Sequence, residues 1–263
     1  MSKKQYKRVV KTWDDFWAEF WRIRLVGSDE ASDLKSQQVV EFCWKVLGIK
    51  RGQRVLDLGC GGGYQARYLA ERGAKVHGID ITPVLIRHAA KHMKKHDQPG
   101  TFEVGDMRTF SVTEPFDHVV VLGMSFGFGT DAENAETLRR IYAALKPGGK
   151  LLLTGQHPYA LSNHLGPEWL ECDEGLLLHR AEFDPETSRL GGSWELATPE
   201  GEIIMEGENP EKDGVRCYTV PELNTLLTTT GFKEIESYGA WYLPPQPMHW
   251  FSMELIMSAR KPK

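Results

Sequence analysis

The chain has 263 residues, enough for one α/β domain with an elaboration and for a sizeable hydrophobic core. Its 32 basic and 36 acidic residues give a formal net charge of −4, which argues against a nucleic-acid partner held by bulk positive charge. Hydrophobic residues make up 41% of the chain, a fraction that excludes a disordered protein. These values favour a globular protein whose partner is a small molecule.

The cysteine pattern is typical of a reducing compartment. Cys43, Cys60, Cys172 and Cys217 are scattered along the chain and form no C-x-x-C pair. The first residues contain no apolar signal core, and no apolar run reaches the ~18 residues of a membrane span. We therefore expect reduced cysteines, a cytoplasmic location and no contact with a membrane.

Residues 1–33 begin with a basic run and continue with a predicted aromatic helix. The basic run is either a nucleic-acid arm or a solvated, frayed tail, and the second interpretation is favoured. It comprises Lys3, Lys4, Lys7, Arg8 and Lys11. Aromatic residues then recur at helical spacing beside the capping pair Thr12 and Asp15. These are Trp13, Phe16, Trp17, Phe20 and Trp21. The predicted helix either packs on the core or forms a lid over a bound cofactor.

The stretch 55–64 predicts a buried strand that runs through a glycine-rich turn into a helix. Apolar residues flank one acid, Asp57, as in strands buried on both faces of a parallel sheet, and residues 66–70 begin a helical period. Glycines at the join allow positive φ and the close approach of a ligand to the backbone. The free N–H groups of the helix start favour an anionic group. The turn is thus expected to hold a ligand.

The spacing of the glycines decides which ligand this is. A dinucleotide fingerprint requires a third glycine at the place that Tyr64 occupies, which argues against NAD and FAD and hence against a nicotinamide oxidoreductase. An acid, Asp57, stands two places before a G-x-G-x-G turn made by Gly59, Gly61 and Gly63. The stretch resembles motif I of the class I S-adenosylmethionine-dependent methyltransferases.

Four further features match this family in order and at workable spacing. A predicted strand over 75–79 ends at an acid about 20 residues beyond the turn, the offset at which an acid meets a ribose diol. A third strand is predicted over 102–104 and a fourth over 117–122. A P-G-G turn at 147–149 then precedes an apolar run at 151–153, as is usual in these enzymes.

The resemblance implies an α/β fold with a seven-stranded, mostly parallel sheet and helices on both faces. It also implies S-adenosyl-L-methionine as methyl donor and S-adenosyl-L-homocysteine as product. Asp80 is expected to take both ribose hydroxyls and Asp106 to lie near the adenine amino group. Asp57 either positions the amino end of the cofactor or only bonds the amides of the turn. The implied cofactor contacts are Asp57, Gly59, Cys60, Gly61, Gly63, Tyr64, Asp80, Ile81, Asp106, Met107, Gly123 and Met124.

Two other groups admit a catalytic or metal-binding role. Cys60 at the helix start is either a nucleophile or a small residue that fills the turn, and the second is favoured. His88, His92 and His96 share one face of the helix predicted after Thr82 and Pro83, a zinc-like spacing. Neighbouring lysines would repel a cation and mark this face as solvent-exposed. We expect no metal.

The acceptor is expected at the carboxyl ends of the fourth and fifth strands, where ligands lie in open α/β sheets. Residues 124–128 and 154–157 should therefore face the methyl group that is transferred by in-line displacement. His157 is the candidate general base for an O, N or C acceptor that must lose a proton, and a structural histidine is the alternative. Further expected acceptor contacts are Phe126, Tyr159, Trp169, Trp194 and His249.

The pattern changes after the domain core, residues 34–157. Short bursts over 176–183, 190–197 and 202–206 predict an antiparallel sheet in a cap insertion, 158–218. The cap tryptophans are expected in the acceptor pocket, in the core, or in a contact of a possible homodimer. Residues 219–263 then return to the core with a capping box and two strands. By resemblance, the seventh strand runs antiparallel between the fifth and the sixth.

Besides the nicotinamide oxidoreductase, a nucleic-acid methyltransferase, which is disfavoured, and a non-catalytic protein are rivals to transfer to a small molecule, and a protein acceptor stays an open alternative. Amino-methylating nucleic-acid enzymes carry an acid or amide followed by P-P-aromatic after the fourth strand, where this chain has Gly123, Met124, Ser125 and Phe126. A non-catalytic cofactor-binding protein would keep the same turn. A methyltransferase that acts on a protein side chain or terminus also fits these motifs.

Overall fold

The computed structural model describes residues 7–12, 15, 29–123, 125–161, 167–172, 175–206, 214–249, 252 and 254–263. The predicted aromatic helix, Asp15 apart, and the predicted cofactor contact Met124 lie outside the described residues. Among the helices that are described, none combines the length and the apolar character that crossing a bilayer requires.

Through the first two thirds of the chain the described elements alternate between strands and helices, except that two strands, Thr101–Val104 and Phe116–Val121, follow each other directly. In chain order they are β1 (Lys7–Lys11), α1 (Asp29–Leu47), β2 (Arg54–Leu58), α2 (Tyr64–Glu71), β3 (Lys75–Asp80), α3 (Pro83–Lys95), β4 (Thr101–Val104), β5 (Phe116–Val121), α4 (Asp131–Ala144), β6 (Leu145–Gly155), α5 (Pro158–Leu161), β7 (Pro167–Cys172), β8 (Gly175–Asp184), β9 (Arg189–Ala197), β10 (Glu202–Glu206), β11 (Val215–Arg216), α6 (Val220–Thr230), β12 (Lys233–Tyr238) and β13 (Leu255–Arg260).

The main sheet has seven strands in the order β12-β13-β6-β5-β2-β3-β4. Strands β2 to β6 pair in parallel, and β13 runs antiparallel to both β6 and β12. The central strands are apolar on both faces because each face is covered: Val55, Leu56, Val119, Val120 and Leu152 are fully buried. The predicted fold class, including the antiparallel seventh strand, is confirmed.

Strand β6 differs from the expected turn followed by a strand. It already begins at Leu145, and residues 147–149 form an irregularity within it, since the register against β5 jumps from Phe116↔Leu145 to His118↔Lys150. The N–H of Gly148 donates to the carbonyl of Lys261 at 2.9 Å. The P-G-G segment is therefore held by the end of the chain, which the local sequence does not show.

The second sheet confirms the three predicted antiparallel strands, as β8, β9 and β10, and adds β1, β7 and β11. Its order is β1-β10-β9-β8-β7, with β11 on β9. The expectation of a frayed tail is wrong for residues 7–11, because β1 pairs in parallel with β10. Lys7 also pairs with Glu202 at 3.0 Å. The exposed edge of β10 supplies the ladder that an isolated basic segment lacks.

The predicted capping box of helix α6 is confirmed. The Thr219 hydroxyl accepts from the N–H of Glu222, and the Glu222 carboxylate accepts from the N–H of Thr219 at 2.7 Å. The helix ends at Gly231 with φ of 109°, a left-handed C-cap that glycine adopts without strain. Helix α4 begins with the same device, Thr130 and Glu133.

Replacing Thr219 with Ala should lower the free energy of unfolding by about 1 kcal/mol, because the first turn of α6 loses its cap. Denaturant unfolding followed by circular dichroism measures this. Thr225→Ala on the exposed face of the same helix is the matched control and should be neutral or slightly stabilising. Equal effects of the two changes would contradict the capping role.

Candidate cofactor and acceptor site

The glycine turn joins the end of β2 to the start of α2 and is tied to the end of β3. The N–H groups of Gly59 and Cys60 both donate to the carbonyl of Ile79, at 2.7 and 3.1 Å. Gly59, Gly61 and Gly63 have φ of 79°, 52° and 80°, values that residues with a Cβ rarely adopt. The backbone path thus explains why glycines stand here.

The three glycines differ in what surrounds them. A Cβ on Gly59 would lie 2.7 Å from Cβ of Ser125, and one on Gly63 would lie 2.9 Å from Cβ of Ala89 in α3. A Cβ on Gly61 would meet nothing within 4 Å. Gly59 and Gly63 therefore allow close packing, whereas the open side of Gly61 leaves room for a ligand against the backbone.

Asp80 joins the turn to the next helix. Its Oδ2 accepts from the N–H of Gly61 and its Oδ1 from the N–H of Thr82, each at 2.9 Å. A carboxylate has about four acceptor positions, so each oxygen keeps one for a ligand hydroxyl. Ile81, the next residue, is 59% exposed and gives the site an apolar edge. The carboxylate thus retains the capacity to bind a diol.

Asp57 is buried beneath the turn with its charge uncompensated. Its side chain is 1% exposed, and its Oδ2 has no hydrogen-bond partner among the described residues. Burial, and then the negative charge of Asp80, raise the pKa of Asp57 to about 7. The amides of Gly59 and Cys60 bond Ile79 and that of Gly61 bonds Asp80, which argues against Asp57 as their acceptor. A buried carboxyl oxygen of this kind suits a cationic ligand group.

Asp106 is paired with an arginine that the sequence pattern did not single out. Arg108 donates from Nη2 to Oδ2 of Asp106 at 2.7 Å and from Nε at 3.0 Å. Burial opposes ionisation of Asp106, but the hydrogen bonds and the charge of Arg108 outweigh it and lower the pKa of Asp106. The acid-x-Arg spacing, Asp106 to Arg108, is a signal that could have found this pair. Met107 extends toward the turn, where its Cε would lie 3.5 Å from a Cβ on Gly59.

Cys60 is a packing residue rather than a nucleophile in this structure. Its side chain is buried, and burial, followed by the charges of Asp57 and Asp80, raises the pKa of the thiol far above its ordinary value. A thiol that stays protonated is a poor nucleophile.

The histidine face of α3 is packed rather than solvent-exposed. The ring of Tyr64 lies 5.8 Å from that of His88 and 4.9 Å from that of His92, and His92 lies 4.7 Å from His96. Nδ1 of His88 is 3.2 Å from the carbonyl of Gly62 in the turn. The expectation of exposure was wrong because α2 packs against this face of α3. In the part of the chain that the structure describes, no group of His, Cys, Asp and Glu is arranged to hold a metal ion.

His157 immediately precedes helix α5 and is 5% exposed. Its Nδ1 accepts from the N–H of Ala160 at 3.2 Å, so the proton of the neutral ring is assigned to Nε2. Burial lowers the pKa of the ring. In this tautomer the free nitrogen is a donor, which favours the structural interpretation over the general base. Tyr159 is exposed, with its ring 5.4 Å from that of His157.

The other expected acceptor contacts are dispersed. Phe126 is buried in the core in this structure, and its ring lies 5.7 Å from that of Tyr218. Trp194 lies on β9 and stacks on His179 at 3.9 Å. Trp169 is 67% exposed on the edge strand β7, and His249 is exposed before β13. The structure therefore brings the predicted cofactor contacts Gly59, Gly61, Asp80 and Met107 together, whereas the two tryptophans belong to the second sheet.

Comparison with known proteins agrees with this geometry. Residues 55–149 match a family model described as a methyltransferase domain. A protein of Haemophilus influenzae is 31% identical over 166 residues, which cover 61% of this chain and 63% of that protein. A ubiquinone biosynthesis O-methyltransferase of Xanthomonas euvesicatoria is 33% identical over 39% of this chain and 43% of its own length. The chain thus spans less than two thirds of the length of these relatives.

Solved structures share the fold over most of the chain. The CcbJ methyltransferase from Streptomyces caelestis has a TM-score of 0.73 at 18% identity, covering 87% of this chain and 90% of its own. An amino pentose methyltransferase from Micromonospora echinaspora, solved with S-adenosylmethionine bound, has a TM-score of 0.64 at 19% identity, covering 94% and 96%. With the domain match over residues 55–149, the strand order and the glycine turn, this chain contains a methyltransferase domain with a Rossmann-like fold.

The raised pKa of Asp57 predicts a specific pH dependence of stability. Between about pH 4 and pH 7 the folded ligand-free protein binds a proton at Asp57 that the unfolded chain has lost, so the free energy of unfolding should fall as the pH rises through this range. The shift from 3.8 to about 7 sets an upper limit of about 4 kcal/mol. Urea unfolding at several pH values measures it. Asp57→Asn should remove this contribution, and a parallel pH profile of the two proteins would contradict the assignment.

Proposed function

We propose that the chain is a methyltransferase that moves the methyl group of S-adenosylmethionine to an O, N or C atom of a small-molecule acceptor. The observation that carries this proposal is the pair of acids at the glycine turn, Asp80 bonded to Gly61 and Asp57 buried beneath the turn. Asp80 keeps two acceptor positions, and Asp57 has a buried oxygen without a partner among the described residues. A ligand with a diol and an ammonium group satisfies both.

The residues present fit this cofactor. The free acceptor positions of Asp80 would take the ribose hydroxyls, and Oδ2 of Asp57 would take the ammonium group. Ile81 and Met107 would cover the adenine, with Asp106 near its amino group. The remaining proposed contacts are the turn residues Gly59, Cys60, Gly61, Gly63 and Tyr64, with Gly123 and Met124 after β5.

When bound, this cofactor supplies a sulfonium methyl whose leaving group is a neutral thioether. The main task of the protein is therefore alignment: its residues must hold an acceptor atom in line with the methyl group, about 3 Å away, and exclude water. The carboxyl ends of β5 and β6 form the boundary of the space for the acceptor, because the glycine turn lies at the same edge of the sheet.

A small acceptor is supported by charge and by the relatives. The net charge of −4 disfavours nucleic acid. The Xanthomonas relative is named for ubiquinone biosynthesis, and the Micromonospora neighbour for an amino pentose. We propose the cap, residues 158–218, as the acceptor-binding part, with Tyr159, Trp169, Trp194 and His249 as contacts. Trp169 on the outer edge would serve equally in a contact between two copies.

The proposed compartment is the cytoplasm. Cys43, Cys60 and Cys217 are free and buried, as expected of thiols in a reducing environment.

Asp80→Asn should weaken binding of S-adenosylhomocysteine at least ~10-fold, because the amide replaces a charged acceptor of two hydroxyls. Isothermal titration calorimetry measures the affinity. Asp97→Asn, at the exposed end of α3, is the matched control and should bind like the wild type. Wild-type protein that does not bind S-adenosylhomocysteine would overturn the proposed function.

Methyl transfer itself needs a separate test. Wild-type protein should transfer labelled methyl from S-adenosylmethionine to a component of a metabolite pool, with release of S-adenosylhomocysteine. Binding without transfer to any pool would favour the non-catalytic alternative, and label in protein would favour a protein acceptor.

For His157 we propose a structural role, so His157→Asn should keep turnover within about threefold of wild type, because the amide oxygen can still accept from the N–H of Ala160. His157→Gln, whose oxygen is better placed to replace Nε2, should lower the melting temperature. Steady-state turnover and thermal unfolding measure these effects. A loss of about a hundredfold in His157→Asn with unchanged cofactor affinity would instead establish a general base.

A further inference from the structure

The loop after β5, residues 125–130, lies between the glycine turn and the cap. On the turn side, a Cβ on Gly59 would lie 2.7 Å from Cβ and 2.8 Å from Oγ of Ser125, so the two residues are in close contact. The Ser125 hydroxyl donates to the carbonyl of Leu122 at 2.8 Å, which fixes the start of the loop to the end of the strand. A shift of this loop would therefore change the packing against Gly59, the first glycine of the turn.

The cap holds the other end of the loop through two backbone carbonyls. The N–H of Arg216 donates to the carbonyl of Gly127 at 2.8 Å. Nη2 of Arg189 donates to the carbonyl of Gly129, also at 2.8 Å, and its Nη1 donates to the carbonyl of Gly214 at 2.8 Å. One guanidinium thus connects the loop with the segment that leads into β11.

Arg189 on β9 and Arg216 on β11 are register partners, but their side chains contact different groups. The Arg216 guanidinium donates to Glu222 in the first turn of α6 at 2.7 Å. It also pairs with Asp131 in the first turn of α4 at 3.3 Å. It anchors helices. The guanidinium of Arg189 contacts main-chain carbonyls, and a planar fork of this kind fixes both distance and angle between them. The Arg189 side chain thus bridges the carbonyl of Gly129 in the loop and the carbonyl of Gly214 in the cap.

We propose that Arg189 is a positioning residue that couples the cap to the cofactor turn. This rests on the proposed function, because the loop then lies between the acceptor and the methyl donor. The proposed coupling runs from Arg189 to Gly129, from Gly129 along the loop to Ser125, and from Ser125 to Gly59. Asn134 of α4 bonds both the N–H and the carbonyl of Gly129, so this carbonyl accepts from the helix as well as from Arg189.

Arg189→Met keeps the length and apolar stem of the side chain and removes both donors. We expect S-adenosylhomocysteine affinity, measured by calorimetry, to fall about fivefold to tenfold, within the usual range of coupling between sites. Hydrogen exchange of the intact protein, followed by mass spectrometry, should accelerate at least about fivefold both in 125–130 and in the protected amides at 59–61. Arg189→Lys can still reach one carbonyl and should give an intermediate result; it also serves if the Met variant does not fold.

Arg139→Met is the matched control, since this exposed arginine of α4 pairs with Glu136 on the surface. It should match the wild type in affinity and exchange. Faster exchange in Arg189→Met that stops at residue 130, with exchange at 59–61 and affinity unchanged, would overturn the coupling while leaving the proposed function intact. Failure of wild-type protein to bind S-adenosylhomocysteine would defeat the proposed function, and the exchange at 59–61 would still decide the coupling.

Discussion

The hydrogen bonds that Asp80 accepts from Gly61 and Thr82 hold together the three segments on which the site depends. They join the glycine turn after β2, the end of β3 and the start of α3. Both donors are backbone amides that have no helical partner of their own, so one carboxylate satisfies two needs of the fold. The same carboxylate keeps two outward acceptor positions. Fold stability and the proposed ligand recognition thus share one side chain, and replacing it should affect both.

Asp57 makes the opposite contribution. A carboxyl group buried near Asp80, without a compensating cation, costs stability in the ligand-free protein at neutral pH. A bound ammonium group would relieve this cost, so part of the binding free energy would come from removing an unfavourable buried charge in the ligand-free protein. The acid of this motif is therefore better understood as a counter-charge than as an acceptor for the turn.

The cap is held by contacts between segments that are far apart in the chain. β1 lies beside β10, and Lys7 and Glu202 meet across 195 residues. The junction with the main domain is mostly polar, made by Arg189, Arg216 and Tyr218 on the carbonyls and acids at the start of α4. Directional hydrogen bonds of this kind fix an orientation more sharply than apolar contact does. Such a junction suits a part whose task is alignment.

The features that the sequence alone determined are those set by near neighbours: the glycine turn with its acids, the alternation of strands and helices, and the capping box of α6. Periodicity and spacing over a few residues carry that information. The order and direction of the last strands came from the family resemblance. Tertiary structure alone decided which face of α3 is covered, that residues 7–11 pair with β10, that Phe126 is buried and that His157 accepts from Ala160. It also decided that Arg189 donates to the carbonyls of Gly129 and Gly214. Each of these depends on which distant segment a side chain meets, and no local pattern of residues specifies that partner.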